Sequence, residues 1–401
     1  MLTQPKDLRT GRSVWMDTRV PTIPTKTLTQ DATADIVLVG AGISAAITAQ
    51  ALASRGHKVV MLDRRPPLSG STAATTALLQ YEIDLPILKL KAKVGLERAI
   101  RAWQRTRLAL DTLADKVGAL NIDCDLERRS SLYLAGNLLN AGQLRREAAL
   151  RNRAGLHTDY LDRAELRSRY GIDRAAALLS FGNLTANPLR LAAGFLLGAQ
   201  RHGAEIFSPV TVAGVESRDG RVVITTEAGP TVHAGTAIYA TGYELPKGVR
   251  RTKHRIGSTW AIATRPQPRK LWPDQCLIWE ASDPYLYVRA LPDGRVICGG
   301  EDEDFQDEAA RDALLPDKTA RLEEKLGKLF PALDTKADYA WCGNFGSTPS
   351  GLPTIRRVGD APNILAILAF GGNGITFSSL AAELLVGMVE GRVDIDAGLF
   401  R

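Results

Sequence analysis

The residues most suited to chemistry fall into two glycine-rich turns, one near each end of a 401-residue chain. The first is Gly40-Ala41-Gly42-Ile43-Ser44-Ala45, with an acid, Asp63, 23 residues after Gly40. In such a turn Gly40 permits the tight bend and Gly42 lets backbone approach a pyrophosphate. The following helix start, from Ile43 and Ser44, offers free N–H groups to the diphosphate. Asp63 can accept hydrogen bonds from an adenosine ribose and repels a 2′-phosphate. Arg64 and Arg65 beside it read as a cap over the adenine end. Ala45 stands at the third glycine position, which governs helix–strand packing and tolerates a small side chain. The second turn is Gly371-Gly372-Asn373-Gly374-Ile375-Thr376, whose N–H groups can meet a polar ring edge; Asn373 suits an unusual turn conformation. Between them lies a hydroxyl-rich segment, Gly70 to Gln80, with Ser71, Thr72, Thr75 and Thr76 interleaved among alanines and leucines. That pattern suggests a helix start packed on a polar ligand rather than a solvent loop.

The elements around these turns fit their tasks. Asp35 to Val39 is a β-branched run of the kind found in a buried parallel strand, Ala46 to Arg55 a small-residue helix, and His57 to Leu62 a second strand. The strand, helix and terminal acid together make a glycine pattern specific that alone would be weak. Ala237 to Gly242 reads as a strand ending in a small turn at Thr241 and Gly242, and Ile364 to Phe370 as a strand feeding the late turn and a helix from Phe377 to Val389. Helical spacing spans Ile87 to Val117, 140–153, 162–168, the stretch opened by Asn187-Pro188, and Arg321 to Phe330. Short strands are expected at Ser131 to Ala135, Ala204 to Phe207, Val210 to Ser217 and Val222 to Thr226. Four more follow at Thr259 to Thr264, Cys276 to Glu280, Tyr285 to Arg289 and Val296 to Gly299, with a hairpin at Pro292-Asp293-Gly294. Residues 1–30 read as an extension anchored by Trp15.

Candidate substrate groups come from the second region. Strand alternation puts Tyr285, Tyr287 and Arg289 on one face, and an arginine there can grip a substrate carboxylate bidentately. His254, Arg255 and Trp260 form a second set, and Arg356 with Arg357 a third. Each set has a plain structural alternative, an ordinary sheet face or solvated surface.

Composition narrows the class. With 45% hydrophobic residues the chain can bury two substantial units. Cys124, Cys276, Cys298 and Cys342 form no CxxC pair and the five histidines no metal motif, so no metal is expected. The net charge of +7 is spread in short stretches such as Lys89 to Lys93 and Lys247 to Arg255, with no nucleic-acid motif. No run of 18 or more consecutive apolar residues occurs and the first 30 residues lack a signal-peptide pattern, so the expectation is a cytoplasmic protein without a transmembrane segment.

With these segments in order, Val39 to Ala45, Ala240-Thr241-Gly242-Tyr243, Gly299-Gly300-Glu301 and Phe370 to Thr376, the chain resembles the D-amino acid oxidase, glycine oxidase and sarcosine oxidase superfamily of FAD enzymes from about residue 33 to 396. The resemblance implies an α/β fold with an added antiparallel sheet domain: a Rossmann-like FAD-binding domain interleaved with a smaller substrate domain. The implied segments are an N-terminal extension 1–32, FAD-binding parts at 33–85, 137–246 and 337–401, and substrate parts at 86–136 and 247–336. It implies noncovalent FAD held by Gly40, Gly42, Ile43, Ser44, Asp63, Arg64, Ser71, Thr72, Thr75, Thr76, Val210, Thr241, Gly242, Gly372, Asn373, Gly374, Ile375 and Thr376. Cys342 is the one thiol retained for covalent attachment. Ser350 stands where the family often has an aspartate before Gly-Leu-Pro. The implied reaction is loss of hydride from the carbon of a small amine or amino acid to flavin N5, with the imine hydrolysed, and oxygen or another acceptor taking the electrons. The alternatives are a dehydrogenase feeding a quinone or protein carrier, an NAD enzyme, and a flavoprotein without chemistry.

Overall fold

A computed structural model describes residues 1–249, 254–368 and 371–400. Phe370 of the late turn and Arg250 to Lys253 of the second basic stretch lie outside the described residues. Among the described residues two sheets organise the fold, one of eight strands and one of ten.

The eight-stranded sheet is parallel through its centre. Strands Ala361–Leu368, Thr231–Tyr239, Ala32–Val39, Val59–Leu62 and Glu205–Phe207 run side by side, with Val39 facing both Tyr239 and Leu62. All four residues of Val59–Leu62 are buried, as expected where helices cover both faces of a parallel sheet. Helix Ile43–Ala53 packs between helices Pro188–Arg201 and Gly374–Val389. Ala45, Ala46 and Ala49 are wholly buried, so small side chains let these helices approach closely. The stretch Gly371–Val389 is apolar and long enough to cross a membrane, but 72% of it is buried inside the protein, so it is a core helix of this fold. Thr354–Val358 is the antiparallel edge, and the hairpin Val212–Arg218/Arg221–Thr226 extends from Thr231–Tyr239.

The ten-stranded sheet is antiparallel except where Leu277–Glu280 lies parallel to Glu127–Leu134. Its centre is Ala337–Ser347, Arg255–Thr264, Val296–Glu303 and Leu286–Ala290. Gly294, at φ +87, makes the turn expected at Pro292-Asp293-Gly294.

Three boundaries differ from those read in the sequence. The chain stays in the ten-stranded sheet well past 137, through Thr158–Asp162 and Ala176–Thr185, and returns only with helix Pro188–Arg201. Ala337–Ser347 also belongs to that sheet rather than to the last FAD-binding part, and Leu78–Leu79 pairs there too. The N-terminal arm is not loosely attached: Arg9–Gly11 pairs with Ala337–Ser347, and the buried Trp15 donates its indole N–H to the Thr75 carbonyl at 2.7 Å. Alternation failed at Ala176–Thr185 because most of that strand is buried on both faces.

Candidate active site

Both glycine turns open into one cleft between the sheets, of about 1850 Å³ including its mouth.

At one end the first turn is forced by its neighbours. Gly40 has φ +120, and a Cβ there would sit 2.4 Å from the Ala240 carbonyl oxygen. Gly42, at φ −86, caps the helix and would meet only the Thr72 hydroxyl at 3.3 Å, so its bareness keeps the cleft floor open. Asp63 accepts from the Ala41 and Arg65 amides at 2.7 and 2.9 Å. Burial raises its proton affinity, and those two amides oppose the rise. Arg64 and Arg65 border the cleft, but both are engaged by Glu244, which is 4% exposed. The sequence reading missed Glu244; it follows the Ala240 to Tyr243 strand end, and its negative charge further disfavours a 2′-phosphate here. Val210, Thr241 and Gly242 line the same end.

The hydroxyl-rich segment forms the middle wall. It is a short 3-10 turn, Ser71–Ala73, and then extended chain rather than a helix. Thr72 accepts from the Ile43 amide at 3.1 Å. Three buried donors hold this segment by its carbonyls: Trp341 at Ala74, Trp15 at Thr75, and Arg289 at Ala77. The Ser71 and Thr241 hydroxyls are buried, belong to residues that border the cleft and have no partner among the described residues. Such orphaned groups fit a polar occupant, as FAD would be, along Gly42, Ser44, Ser71 and Thr72.

Helix Gly374–Val389 starts at the cleft, earlier than the Phe377 start read from sequence. The unusual backbone sits at Gly371, φ +54, whereas Asn373 is ordinary at φ −99; its amide instead pins the Glu82 carbonyl at 2.6 Å. Gly372 donates to Asp84 at 2.8 Å, and a Cβ on Gly372 would press 2.6 Å from that carboxylate. Gly374 and Ile375 line the cleft, whereas Thr376 turns its hydroxyl away to the Gln80 carbonyl at 2.8 Å.

Facing this turn are Tyr285 and Tyr287, as alternation required. Tyr285 donates to Asp302 at 2.7 Å, and the Tyr287 hydroxyl lies 3.3 Å from that of Thr259. Tyr287 has space because Gly299 lies beneath its ring, where a Cβ would be 2.4 Å from Cε2. Burial raises the pKa of both phenols, so they remain protonated at neutral pH. Burial also pushes Asp302 up to about 6, with the charge of Asp84 adding to the rise. Asp84 opens onto the cleft, yet the protein packed around it likewise raises its proton affinity, the Gly372 amide opposing. Trp279, Asn344 and Phe345 complete this end.

Six residues expected at the substrate, Arg289, His254, Arg255, Trp260, Arg356 and Arg357, do not line the cleft. Arg289 is 1% exposed and donates to the carbonyls of Thr76, Ala77 and Ala186. Alternation chose its face correctly, but the backbone beneath the sheet captures it before it reaches the cavity. Burial lowers its pKa to about 9, leaving it charged at neutral pH. His254 precedes strand Arg255–Thr264 outside the lining, and Trp260 is a core residue whose indole donates to the Arg311 carbonyl. Arg356 lies on the edge strand of the other sheet, likewise outside the lining. Cys342 is buried away from the cleft, with burial pushing its thiol up to about 11, so it offers no thiolate for flavin attachment. No local pattern pointed to Asp84, Trp279 or Asn344 on the cleft, or to Asp302 behind Tyr285. The one usable signal was Gly299-Gly300, which places Asp302 at the end of its strand.

Arg289 therefore supports the cleft wall rather than the substrate. Arg289→Met should lower the unfolding free energy in urea by about 3 kcal/mol, through carbonyls left unpaired. It should leave unchanged the KM ratio between amines with and without a carboxylate.

Comparison with known proteins agrees with this geometry. A family model described as FAD dependent oxidoreductase matches residues 35–388. The chain is 26% identical over 384 residues to the gamma-glutamylputrescine oxidoreductase of Escherichia coli (strain K12), covering 92% of this chain and 86% of that one. The crystal structure of glycine oxidase from Geobacillus kaustophilus superposes with a TM-score of 0.76 at 19% identity, covering 91% and 96% of the two chains. That of L-proline dehydrogenase from P.horikoshii gives 0.75 at 18%, covering 92% and 96%.

Proposed function

The chain belongs to the FAD dependent oxidoreductase family, and on that premise we propose that it oxidises the C–N bond of a small amine or amino acid in the cleft. The observation that carries this reading is the far end of the cleft, where two phenols and the Asp84 carboxylate lie beside the late glycine turn, with Asp302 held behind Tyr285. FAD, when bound, would supply the two-electron acceptor for the substrate's hydride. The substrate loses a hydride from carbon and a proton from nitrogen, and water hydrolyses the resulting imine to a carbonyl compound and a free amine or ammonia.

This chain's residues prepare the nitrogen. A protonated amine has no lone pair to assist hydride loss, so the ammonium must first give up a proton. Asp302, with a pKa of about 6, is mostly ionised at neutral pH and can take that proton through the cleft-lining Tyr285 hydroxyl that donates to it. Tyr285 fixes the Asp302 carboxylate, and Tyr287 with Thr259 closes the wall beside it. The aromatic and apolar sides, Trp279, Phe345 and Ile375, limit water around the reacting carbon.

Turnover of a panel of amines, amino acids and hydroxy acids tests the reading. Amines should give carbonyl product and released nitrogen in step with acceptor consumed. Oxygen uptake against dye reduction then separates an oxidase from a dehydrogenase. Turnover of hydroxy acids alone would overturn it.

A further inference from the structure

The N-terminal arm is tied to both sheets, with the cleft between them. Leu2, Thr3 and Leu8 line that cleft, although the family match begins only at residue 35. On the side of the eight-stranded sheet, the Leu2 amide donates to the Val212 carbonyl at 2.9 Å and the Leu2 carbonyl accepts from the Lys247 amide at 2.9 Å. Thr3 pairs there with Pro246 in an antiparallel bridge. On the side of the ten-stranded sheet, the Asn344 amide donates to the Leu8 carbonyl at 3.2 Å and Arg311 to the Asp7 carbonyl at 2.8 Å. Strand Arg9–Gly11 then joins the edge of that sheet.

The adenosine end adds a tie between these two. Arg64 donates to the Thr3 hydroxyl at 3.2 Å and Arg65 to the Lys6 carbonyl at 2.8 Å. Glu244, which engages both guanidiniums, accepts from the Lys6 amide at 2.9 Å. The two arginines that read as a cap over adenine therefore hold a segment of chain. Farther along, a Cβ on Gly70 would sit 3.5 Å from the Leu8 side chain, so Leu8 packs beside the start of the hydroxyl-rich wall. Leu2 and Leu8 are both buried. Leu2 and Thr3 thus border the cleft where Asp63, Arg64 and Val210 do, and Leu8 borders it near Ser71 and Thr72.

We propose that residues 2–8 are an outer wall of the FAD site, closing over its adenosine and diphosphate, and that this wall must be released for the cofactor to leave. This rests on FAD lying along the first glycine turn and is independent of the substrate. The coupling runs both ways: an arm that holds FAD in place is itself held closed by bound FAD, by the same free energy.

A reversible lock gives the test. Thr3 and Pro246 are bridge partners, so Thr3→Cys with Pro246→Cys sets two thiols opposite one another, and the four native thiols are buried. FAD loss after dilution of the loaded protein is read from the rise in flavin fluorescence. In the oxidised double variant it should be at least about tenfold slower than in the same protein after reduction, with the wild type unaffected by the reductant. Deletion of residues 2–8 should speed FAD loss by about tenfold or more. In the wild type, backbone amides of residues 2–8 should exchange hydrogen at least about fivefold more slowly with FAD bound than in apoprotein. Equal FAD loss with the lock closed and open would overturn the proposal. So would unchanged FAD loss after the deletion, or arm amides that exchange equally with and without FAD. Should the lock not form and the shortened protein not fold, hydrogen exchange in the wild type decides. None of these readouts involves amine turnover, so this proposal and the amine reading fail separately.

Discussion

Gly42→Asp should fold normally and purify without colour. The position has an ordinary φ, a Cβ there meets only the Thr72 hydroxyl, and aspartate is a favoured helix cap. Its carboxylate would take the amides at the start of helix Ile43–Ala53 that a diphosphate needs, and would repel that diphosphate. Two unit charges ~5 Å apart at an effective dielectric of ~20 differ by about 3 kcal/mol, so FAD affinity should fall by more than about 100-fold. Gly42→Ala, which adds no charge, should lose far less. Gly40→Ala should fail differently, by destabilising the fold, because its Cβ meets the Ala240 backbone at φ +120. Fluorescence titration of apoprotein with FAD, alongside thermal melting, separates the three. Retained tight binding by folded Gly42→Asp would remove the first turn from the cofactor site.

Asp302→Asn should give the second large effect, and its sign depends on pH. The folded pKa of Asp302, about 6, lies above its ordinary 3.8, chiefly through burial. The folded protein therefore holds the proton more tightly than the unfolded chain. Stability from this group is present below pH ~4 and is lost as pH rises to ~6. Removing the ionisation should stabilise the amine-free protein at pH 8 by on the order of 3 kcal/mol and change little near pH 4. Activity should move the other way. In the wild type kcat/KM falls as Asp302 protonates below about pH 6, and the variant should be slower and lack that limb. Equal stability of the two proteins at pH 8, with the limb intact, would show that Asp302 neither bears a buried charge nor takes the proton.

A buried carboxylate that costs stability is reasonable where it works on a substrate. Two other buried carboxylates have cationic partners. Glu82 accepts from Arg151, Ser131 and Asn183, and Glu301 is met by Lys318 and Lys325. Asp302, by contrast, accepts from Tyr285, which carries no positive charge.

The cofactor half was readable because its demands are local. A tight turn needs Gly40 where the backbone of Ala240 leaves no room for a Cβ, and a strand, helix and acid must follow in fixed order. The late turn showed the same logic, although the positive φ fell on Gly371 rather than Asn373. The substrate half was readable only in part because its demands are global. Alternation put Tyr285, Tyr287 and Arg289 on one face, yet depth along the strand decides what each meets. Tyr285 and Tyr287 reach the cleft, while Arg289 lies under the backbone of Thr76 and Ala77. Asp84 and Asp302 are 218 residues apart in sequence (302 minus 84), and no local pattern joins them. The late return to the parallel sheet was hidden for a similar reason: most of Ala176–Thr185 is buried on both faces and shows no period of two.

Anaerobic mixing of the FAD-loaded protein with excess butylamine or putrescine is the most direct trial of amine oxidation in this cleft. The expected result is complete loss of the oxidised-flavin absorbance, with one carbonyl product and one released nitrogen per flavin. Flavin that stays oxidised with every amine and amino acid tried, in protein fully occupied by FAD, would contradict it.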